Sequence, residues 1–510
     1  MSGFALSLAR RWARAEAAAL ALALAAAAAS AWVAWNVFEG IPHVEDEIAQ
    51  LWQAEIVADG RIYLQSPPAP RSFLVPFVVD YEGRRFGKYP PGWPAALSLG
   101  VRAGAPWLVN PILAGLSAWL IYRLGAKVFG RGVGLLAEAL TITSPMFLML
   151  SGSLMGHGLS LFLATAFWLA WLDLFPREGA GEHNRVPVPL LVGVAGLSLG
   201  LLALIRPLTA VGVVLPCAGH ALFFLWRGRA AAGTRLIGAA ALAIGVTALL
   251  PLWQAALTGD PWLNPYTLWW SYDRIGFGPG IGRTESGHNL SWALINTRHS
   301  LNAGLHDLFG WPYLSWLFLP FGLVAGVRRP KVWLLFAAFP SLVIVYMAYW
   351  IGSWLFGPRY YFEALPGLAV VTAAGIGWLG GWLTTKARPP DIFRRGLVVL
   401  VLSLLVSANV AFYLPLRLSG MRGLYGISRQ RVEPLQAAHL EHALVIVHPQ
   451  HNWTDYGTLL SLTPPFADSD LLLIYSWSPA DDRRAVSFFP DRRVYHYYPD
   501  EPETLYPAHR

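Results

Sequence analysis

The sequence predicts a polytopic α-helical membrane protein with about eleven transmembrane helices and a small C-terminal α/β domain. Of its 510 residues, 55% are hydrophobic and only 13% are charged, whereas an ordinary soluble domain carries about 25% charged residues. The apolar residues are gathered into segments long enough to cross a bilayer. The basic residues lie in short clusters between those segments, a charge pattern typical of cytoplasmic loops.

The predicted spans each contain about 17–25 mostly apolar residues. They are placed at 15–37, 105–122, 133–151, 156–175, 188–205, 208–226, 236–257, 311–327, 332–350, 362–384 and 396–416. The first span follows RRWAR and contains AAAAASAW, which could end a signal peptide, but the many later spans favour a first transmembrane helix. The expected cytoplasmic connections all carry Lys or Arg: YRLGAKVFGR, PREGAGEHNR, WRGRAAAGTR, VRRPK and TTKARPPDIFRR. An odd number of spans then places the C-terminus outside.

Three hydrophilic regions remain for the exterior side. They are a first long loop at 39–91, a second long loop at 259–310 and a tail at 417–510. The tail combines β-type runs, ALVIVHP and LLLIYSW, with the helical pattern QRVEPLQAAHLEHA, which predicts a small α/β domain. Because the exterior regions are much larger than the interior ones, the functional groups are expected outside.

Three consecutive acids, Glu45, Asp46 and Glu47, follow the first span in the stretch IPHVEDEIAQLW, directly after His43. The apolar spacing that follows predicts an amphipathic helix on the membrane surface that ends at Gly60. Acids at its start suit the helix dipole, so they could be merely N-terminal helix charges. Acids so close to a bilayer are also costly, which equally favours a functional role.

The motif RRFGKYPPGWPAALSLG holds Lys88 and Tyr89 in the same loop. The two prolines fix an extended turn, and a short apolar helix is predicted from Trp93 onward. Lys88 could simply extend its charge toward lipid phosphate. Paired with the acids of its own loop, it becomes a candidate for binding an anionic ligand.

Two arginines are expected at exterior ends of spans, Arg359 in WLFGPRYYFEALPG and Arg206 in ALIRPLTA. Each could bond to helix carbonyls, but arginine also suits phosphate oxygens. The glycine-rich stretch of the second loop carries His288, Asp273 and Arg274 and predicts either a substrate-covering loop or a passive surface loop.

Several classes of protein are excluded or disfavoured. The net charge of +8 arises from short basic clusters between apolar runs rather than from a nucleic-acid footprint. The single cysteine, Cys217, excludes an intrachain disulfide and a cysteine metal cluster. The sequence contains no HExxH or CxxC motif, and no GxSxG nucleophile elbow accompanies the candidate site residues.

These features together resemble the GT-C glycosyltransferase superfamily, in particular the protein-mannosyltransferase-like group that includes the bacterial aminoarabinose transferase. That group has an acidic pair just after the first span, matched here by Asp46 and Glu47, and often a Lys-Pro-Pro element. Lys88, Pro90 and Pro91 match this element, with Tyr89 inserted. The resemblance covers the chain best from the first span to about 174, and a C-terminal exterior domain also agrees with it.

The resemblance implies a glycosyltransferase domain at 1–416, an exterior domain at 417–510, and a place in the bacterial plasma membrane with a cytoplasmic N-terminus. It implies transfer of a hexosyl or pentosyl group, with inversion, from a polyprenyl-phosphate donor. The acceptor would be a hydroxyl or amine of a lipid, glycan or protein, and no nucleic acid is involved.

The resemblance also implies roles for single residues. Asp46 would be the base, with Glu47 orienting the acceptor or replacing it, and Lys88 would contact the donor phosphate. Arg359 is added to the residues expected to bind the donor phosphate because of its charge and position, and Tyr89 is added because it lies beside Lys88. Further candidate contacts for the acceptor or the covering loop are His288, Arg206 and His43. Some GT-C relatives use a divalent metal, but three adjacent acids without other ligands do not define a metal site, so no metal ligand or cofactor is assigned.

Two other classes stay open as alternatives. A secondary transporter of a lipid or polar solute would place its charges near the bilayer midplane, whereas here the acids cluster at the predicted exterior face. A non-catalytic membrane scaffold could share the same fold, since a fold alone does not establish activity.

Overall fold

The structure is a computed structural model that describes residues 3–175, 186–227, 230–383, 391–450 and 453–508. The predicted cytoplasmic connection at 176–185 lies outside the described residues, as do residues 384–390 of the connection at 384–395 and residues 228–229 of the connection at 226–235.

The first half of the described chain is mostly helical. Its α-helices are α1 (Gly3–Asn36), α2 (Glu45–Ala58), α3 (Gly92–Arg102), α4 (Val109–Val128), α5 (Arg131–Ile142), α6 (Pro145–Gly152), α7 (His157–Leu174), α8 (Val188–Ile205), α9 (Pro207–Trp226), α10 (Ala230–Thr247) and α11 (Leu249–Thr258).

The second half continues the bundle and then leaves it. Its α-helices are α12 (Tyr266–Trp269), α13 (Leu290–Asp307), α14 (Leu319–Ala325), α15 (Pro330–Tyr346), α16 (Leu365–Leu379), α17 (Ile392–Ala408), α18 (Leu414–Ser419), α19 (Glu433–Ala437), α20 (Trp453–Gly457) and α21 (Pro479–Ser487).

The predicted membrane-helix bundle is confirmed, although its spans are less regular than predicted. Within the described residues, eight helical segments are long and apolar enough to cross a membrane. The predicted span 133–151 is wrong as a single straight helix, because α5 and α6 meet at a 62° bend. Ser144 starts α6 by accepting a hydrogen bond from the Phe147 amide, and Pro145 occupies the first helical position.

Two further predicted spans are shorter than expected. In place of the span 311–327, a series of turns leads into α14, a helix of 7 residues. The predicted span 332–350 is α15, which ends at Tyr346. After the end of α15, residues 349–355 form part of the wall of the cavity described below.

Two small sheets lie outside the bundle. The first long loop forms an antiparallel sheet of β1 (Leu64–Gln65), β2 (Val78–Tyr81) and β3 (Arg84–Gly87), in the order β1-β3-β2. The C-terminal domain contains β4 (Ala443–Val447), β5 (Leu471–Tyr475), β6 (Arg493–Tyr497) and β7 (Leu505–Pro507), in the order β5-β4-β6-β7. In this second sheet β5, β4 and β6 are parallel and β7 is antiparallel. The predicted α/β character of the tail is therefore confirmed.

The helix predicted from QRVEPLQAAHLEHA is much shorter than expected. Only α19 (Glu433–Ala437) is α-helical there, and Pro434 is its second residue. By contrast, the surface helix of the first loop ends where predicted, at Ala58 followed by Gly60 with φ of 84°. Glycine adopts this left-handed conformation without the steric cost that other residues meet.

The bundle brings several helix ends to one place. α2 packs against α3, and α8 breaks into α9 at Arg206, whose φ and ψ are −142° and 82°. The end of α15 at Tyr346 and the helical run beginning at Arg359 lie beside this break. The first turn of α2, the break at Arg206, the end of α15 and the run that begins at Arg359 all contribute residues to the wall of the cavity described below.

We predict that Gly134→Ala lowers the free energy of unfolding by about 1–3 kcal/mol, because a packed helix contact cannot absorb a new methyl group without displacement. A Cβ at Gly134 would lie 2.5 Å from the Tyr122 carbonyl oxygen on α4. The measurement is thermal unfolding of the purified protein in detergent. Gly132→Ala is the matched control on the same helix, since nothing lies within 4 Å of its Cβ position. Equal destabilisation by both substitutions would contradict this packing.

Candidate active site

A cavity of about 590 Å³ lies where the two long loops cover the irregular helix ends. Its charged lining residues comprise three acids and four bases: Glu45, Asp46, Asp273, Lys88, Arg206, Arg283 and Arg359. Aromatic side chains form much of the remaining wall, among them Tyr89, Trp270, Tyr349 and Tyr360. A few convergent charges in an otherwise apolar pocket are typical of a ligand-binding site.

Glu47 holds the first turn of α2 in place and does not line the cavity. Its carboxylate accepts hydrogen bonds from the backbone amides of His43 (2.7 Å), Val44 (3.3 Å) and Leu154 (2.7 Å). An acid three positions after the helix cap commonly reaches back to the cap in this way. The structure therefore gives Glu47 a structural position, away from the cavity in which a substitute base would have to act.

Asp46 lies in the cavity with both carboxylate oxygens oriented by neighbours. Its Oδ1 accepts a hydrogen bond of 2.6 Å from the Tyr89 hydroxyl, and its Oδ2 lies 3.9 Å from Arg359 Nη2. Burial, followed by the charge of Asp46, raises the pKa of Tyr89 well above its usual value, so this hydroxyl stays a donor. The residue inserted into the Lys-Pro-Pro element thus positions the carboxylate.

Lys88 is buried and surrounded by aromatic rings. Its Nζ lies 3.3 Å from Asp273 Oδ2, 3.6 Å from the centre of the Phe77 ring and 4.7 Å from that of Trp270. Burial lowers the pKa of Lys88, while the charges of Asp273 and Asp46 raise it. The lysine therefore reaches the cavity wall as one half of an ion pair between the two long loops.

The two predicted arginines lie side by side in the cavity wall. Arg206 donates to Glu363 Oε1 at 2.7 Å and to the Tyr346 hydroxyl at 3.0 Å. The Glu363 side chain is fully buried, so most of the charge of Arg206 is balanced inside the protein. Arg359 contacts Asp46 at the longer distance of 3.9 Å and lies 5.7 Å from the centre of the Tyr360 ring, so its guanidinium is the better placed of the two for an anionic ligand.

The two predicted histidines lie outside the cavity lining. His43 is buried, with its Nδ1 at 3.0 Å from the Ile41 carbonyl oxygen and its ring against Phe38. The His288 Nε2 lies 2.9 Å from the Met347 carbonyl oxygen, and its ring stacks on Phe277. Both histidines therefore stabilise loop structure and do not contact the space where a ligand would bind.

Several cavity residues were not predicted as site residues. Glu45 is the first acid of α2 and faces the cavity, and Arg283 lies over the rings of Trp270 and Trp350. Asp273 was noted only as part of a covering loop, yet it also accepts hydrogen bonds from Tyr349 and Trp350. Glu45 belongs to the acidic stretch of the first loop, and the sequence signal for Arg283 and Asp273 was the density of Trp, Tyr and charged residues in the second loop.

Among the residues that the structure describes, no group of three or more His, Cys, Asp or Glu side chains is close enough to hold a metal ion. The acids in the cavity are each close to a basic or hydroxyl group. No metal ligand is therefore assigned.

No protein-family model matches the sequence, and no curated protein matches it. Among solved structures, the fold is similar to that of ArnT from Cupriavidus metallidurans bound to undecaprenyl phosphate, with a TM-score of 0.54 and 12% identity over 92% of this chain and 87% of that chain. It is also similar to the Archaeoglobus fulgidus oligosaccharyltransferase tethered with an acceptor peptide, with a TM-score of 0.53 and 15% identity over 91% of this chain and 64% of that one.

A third structure, of AglB from Archaeoglobus fulgidus in complex with an inhibitory peptide and a dolichol-phosphate, gives a TM-score of 0.53 at 12% identity. It aligns with 94% of this chain and 69% of that chain. The chain is therefore a multi-pass membrane protein with the GT-C fold, as the sequence predicts. At these identities the similarity establishes the fold, and the chemistry must be argued from the cavity.

Glu45 makes the stability of the protein depend on pH. Burial, followed by the charge of Asp46, raises its pKa to about 7. Between pH 4.5 and 7 the folded protein therefore keeps a proton that the unfolded chain releases, so stability falls as the pH rises through this range. Because the side chain stays partly exposed, we expect a loss of about 1–2 kcal/mol.

The measurement is thermal unfolding of the native protein and of Glu45→Gln from pH 5 to pH 8. The glutamine cannot titrate, so its unfolding temperature should fall less steeply with pH. The same slope in both proteins would show that Glu45 is not protonated in the folded state.

Proposed function

We propose that this protein is an integral membrane glycosyltransferase that moves a sugar from a polyprenyl-phosphate donor to an acceptor on the exterior side of a bacterial plasma membrane. The observation that carries the proposal is the contact of Asp46 with Tyr89 and Arg359 inside a cavity that also contains Lys88. The cavity thus contains a carboxylate and several cations whose ion pairs differ in length. This arrangement suits a reaction in which a proton is removed at one point and an anion is released at another.

The proposed base is Asp46. The acceptor oxygen or nitrogen attacks the anomeric carbon of the sugar, and its proton passes to Asp46. The bond between the anomeric carbon and the phosphate oxygen breaks, and its electron pair stays on the phosphate. Attack from the side opposite the phosphate inverts the configuration. A positioned general base typically contributes a factor of about 10² to 10⁴ in rate.

No general acid is needed for the leaving group. A glycosidase must protonate a poor alkoxide leaving group, but a phosphate is already stable as an anion. Fixed cations stabilise the charge that develops on it. We assign this role mainly to Arg359, whose ion-pair contact of 3.9 Å is longer than those of Arg206 and Lys88, with Lys88 behind it.

The same assignment accounts for Tyr89 and Arg206. Tyr89 fixes the orientation of Asp46 through its hydroxyl, and Arg206 supports the wall beside Arg359, whose carbonyl oxygen lies 3.5 Å from Arg206 Nη1. The ArnT and AglB structures contain a polyprenyl or dolichol phosphate, which supports a lipid-linked phosphate as the donor here. The sugar is a hexosyl or pentosyl group, and the acceptor is a lipid, glycan or protein.

We predict that Asp46→Asn lowers acceptor-dependent release of polyprenyl phosphate by about 10² to 10⁴, because the amide cannot take up the proton. The assay uses the purified protein in lipid nanodiscs with a panel of polyprenyl-phosphate sugars. The control is Asp59→Asn in the same loop, since Asp59 pairs with Arg61 at the exposed surface outside the cavity lining. Equal release by native protein and Asp46→Asn would remove Asp46 from the mechanism. An absence of release from every donor by the folded native protein would favour transport or a scaffold role.

We predict that Arg359→Gln lowers kcat/KM for the donor by about 10-fold or more, because a charge-assisted hydrogen bond to phosphate is worth about 1.5–3 kcal/mol. Steady-state donor kinetics provide the measurement. Arg274→Gln is the matched control, since Arg274 is exposed in the second long loop and does not line the cavity. Unchanged donor kinetics in Arg359→Gln would contradict its assignment to the phosphate.

A further inference from the structure

A second cavity of about 490 Å³ lies beside the first, between the first long loop, the second long loop and the C-terminal domain. We define it as the indole groove, after the three tryptophans in its wall, Trp269, Trp270 and Trp477. Each of the first two comes from the second loop, and the third follows β5 in the C-terminal domain. The groove therefore exists only where three separate parts of the chain meet.

The indole groove shares one wall residue with the candidate active site, because Trp270 lines both cavities. On the active-site side, the Trp270 ring centre lies 4.7 Å from Lys88 Nζ. On its other side begins the wall formed by Trp269, β2 and Trp477. A molecule in the groove is thus separated from the charged cavity by the thickness of one aromatic ring.

Trp477 is held in a defined orientation although 43% of its surface is exposed. Its Nε1 donates to the Arg71 carbonyl oxygen at 2.8 Å, and the Arg71 guanidinium lies 4.6 Å from the ring centre. Tyr475 packs on the same indole at 4.6 Å between ring centres. An exposed aromatic side chain fixed by contacts within the protein provides a rigid surface at low entropic cost.

Three charged residues line the groove: Arg71, Asp80 and Arg85. Asp80 on β2 faces Arg85 on β3, with 3.3 Å between Asp80 Oδ2 and Arg85 Nη1. The Arg85 side chain is almost fully buried, whereas that of Asp80 is 23% exposed. The carboxylate therefore offers hydrogen-bond acceptors at the groove surface, and with two arginines and one aspartate the lining carries a net formal charge of +1.

We propose that the indole groove binds the acceptor and that the acceptor is a saccharide chain; this inference rests on the proposed glycosyl transfer. A sugar ring has an apolar face of C–H groups, which packs on the electron-rich face of an indole. Its rim of hydroxyl groups suits a carboxylate and a guanidinium lying side by side. A groove that shares its Trp270 wall with the transfer cavity can hold the body of such a chain beside the place where its terminal hydroxyl would meet Asp46.

The test is binding of the full-length protein in detergent to an array of neutral, acidic and amino oligosaccharides, with an array of extended peptides in parallel. Native protein should retain oligosaccharides. Trp477→Ala should weaken this binding at least 10-fold, and Trp477→Phe, which keeps an aromatic face, should restore part of it. Trp262→Ala is the matched control, because that indole is 84% exposed in the second loop and lies outside both cavities.

Three results would overturn the proposal: no retention of any oligosaccharide, retention that Trp477→Ala leaves unchanged, or Trp477-dependent retention of peptides alone. The last result would assign the groove to a peptide. Donor cleavage is measured separately on the same preparations. Cleavage that needs Asp46, without saccharide binding, would remove the groove and keep the enzyme. Saccharide binding without any donor cleavage would keep the groove and remove the proposed function.

Discussion

The arrangement of the cavity depends on one buried ion pair, between Lys88 of the first long loop and Asp273 of the second. Both side chains are almost inaccessible to solvent, at 3% and 2% exposure. Burying two charges is favourable only when each finds close partners, and here Asp273 also binds Tyr349 and Trp350 while aromatic rings enclose the lysine. The pair therefore fixes the two loops against each other, although its two residues are separated by 185 positions in sequence.

This fixed contact affects how the charged side chains of the cavity are paired. Lys88 is paired with Asp273 and Arg206 with Glu363, whereas Asp46 and Arg359 are held at the longer separation of 3.9 Å. A carboxylate kept near a cation but not tightly bound to it can still accept a proton. The same asymmetry leaves the guanidinium able to bind an anion. Rigid neighbours allow both groups to act without costly rearrangement during the reaction.

Much of the fold was predictable from the sequence, and the site was predictable in part. Composition and span length predict a membrane-helix bundle, and each predicted apolar segment contains helix in the structure. Hydropathy averages over local turn chemistry. It therefore missed the bend between α5 and α6, where Ser144 and Pro145 begin a new helix, and it missed the early end of α15. Asp46, Lys88, Tyr89 and Arg359 do meet in one cavity. The partners Asp273 and Glu363 could not be predicted, since contacts distant in sequence leave no local pattern. Glu47 could have been recognised as structural from its position three residues after the helix cap.

The central claim is that the phosphate of a lipid-linked sugar binds beside Arg359 with its sugar facing Asp46. The most direct measurement is an experimental structure of the protein with a non-cleavable phosphonate analogue of a polyprenyl-phosphate sugar. The account predicts a phosphonate oxygen within about 3 Å of the Arg359 guanidinium, and Asp46 on the face of the anomeric carbon opposite the phosphonate. A phosphonate bound outside this cavity, or an anomeric carbon facing away from Asp46, would contradict it.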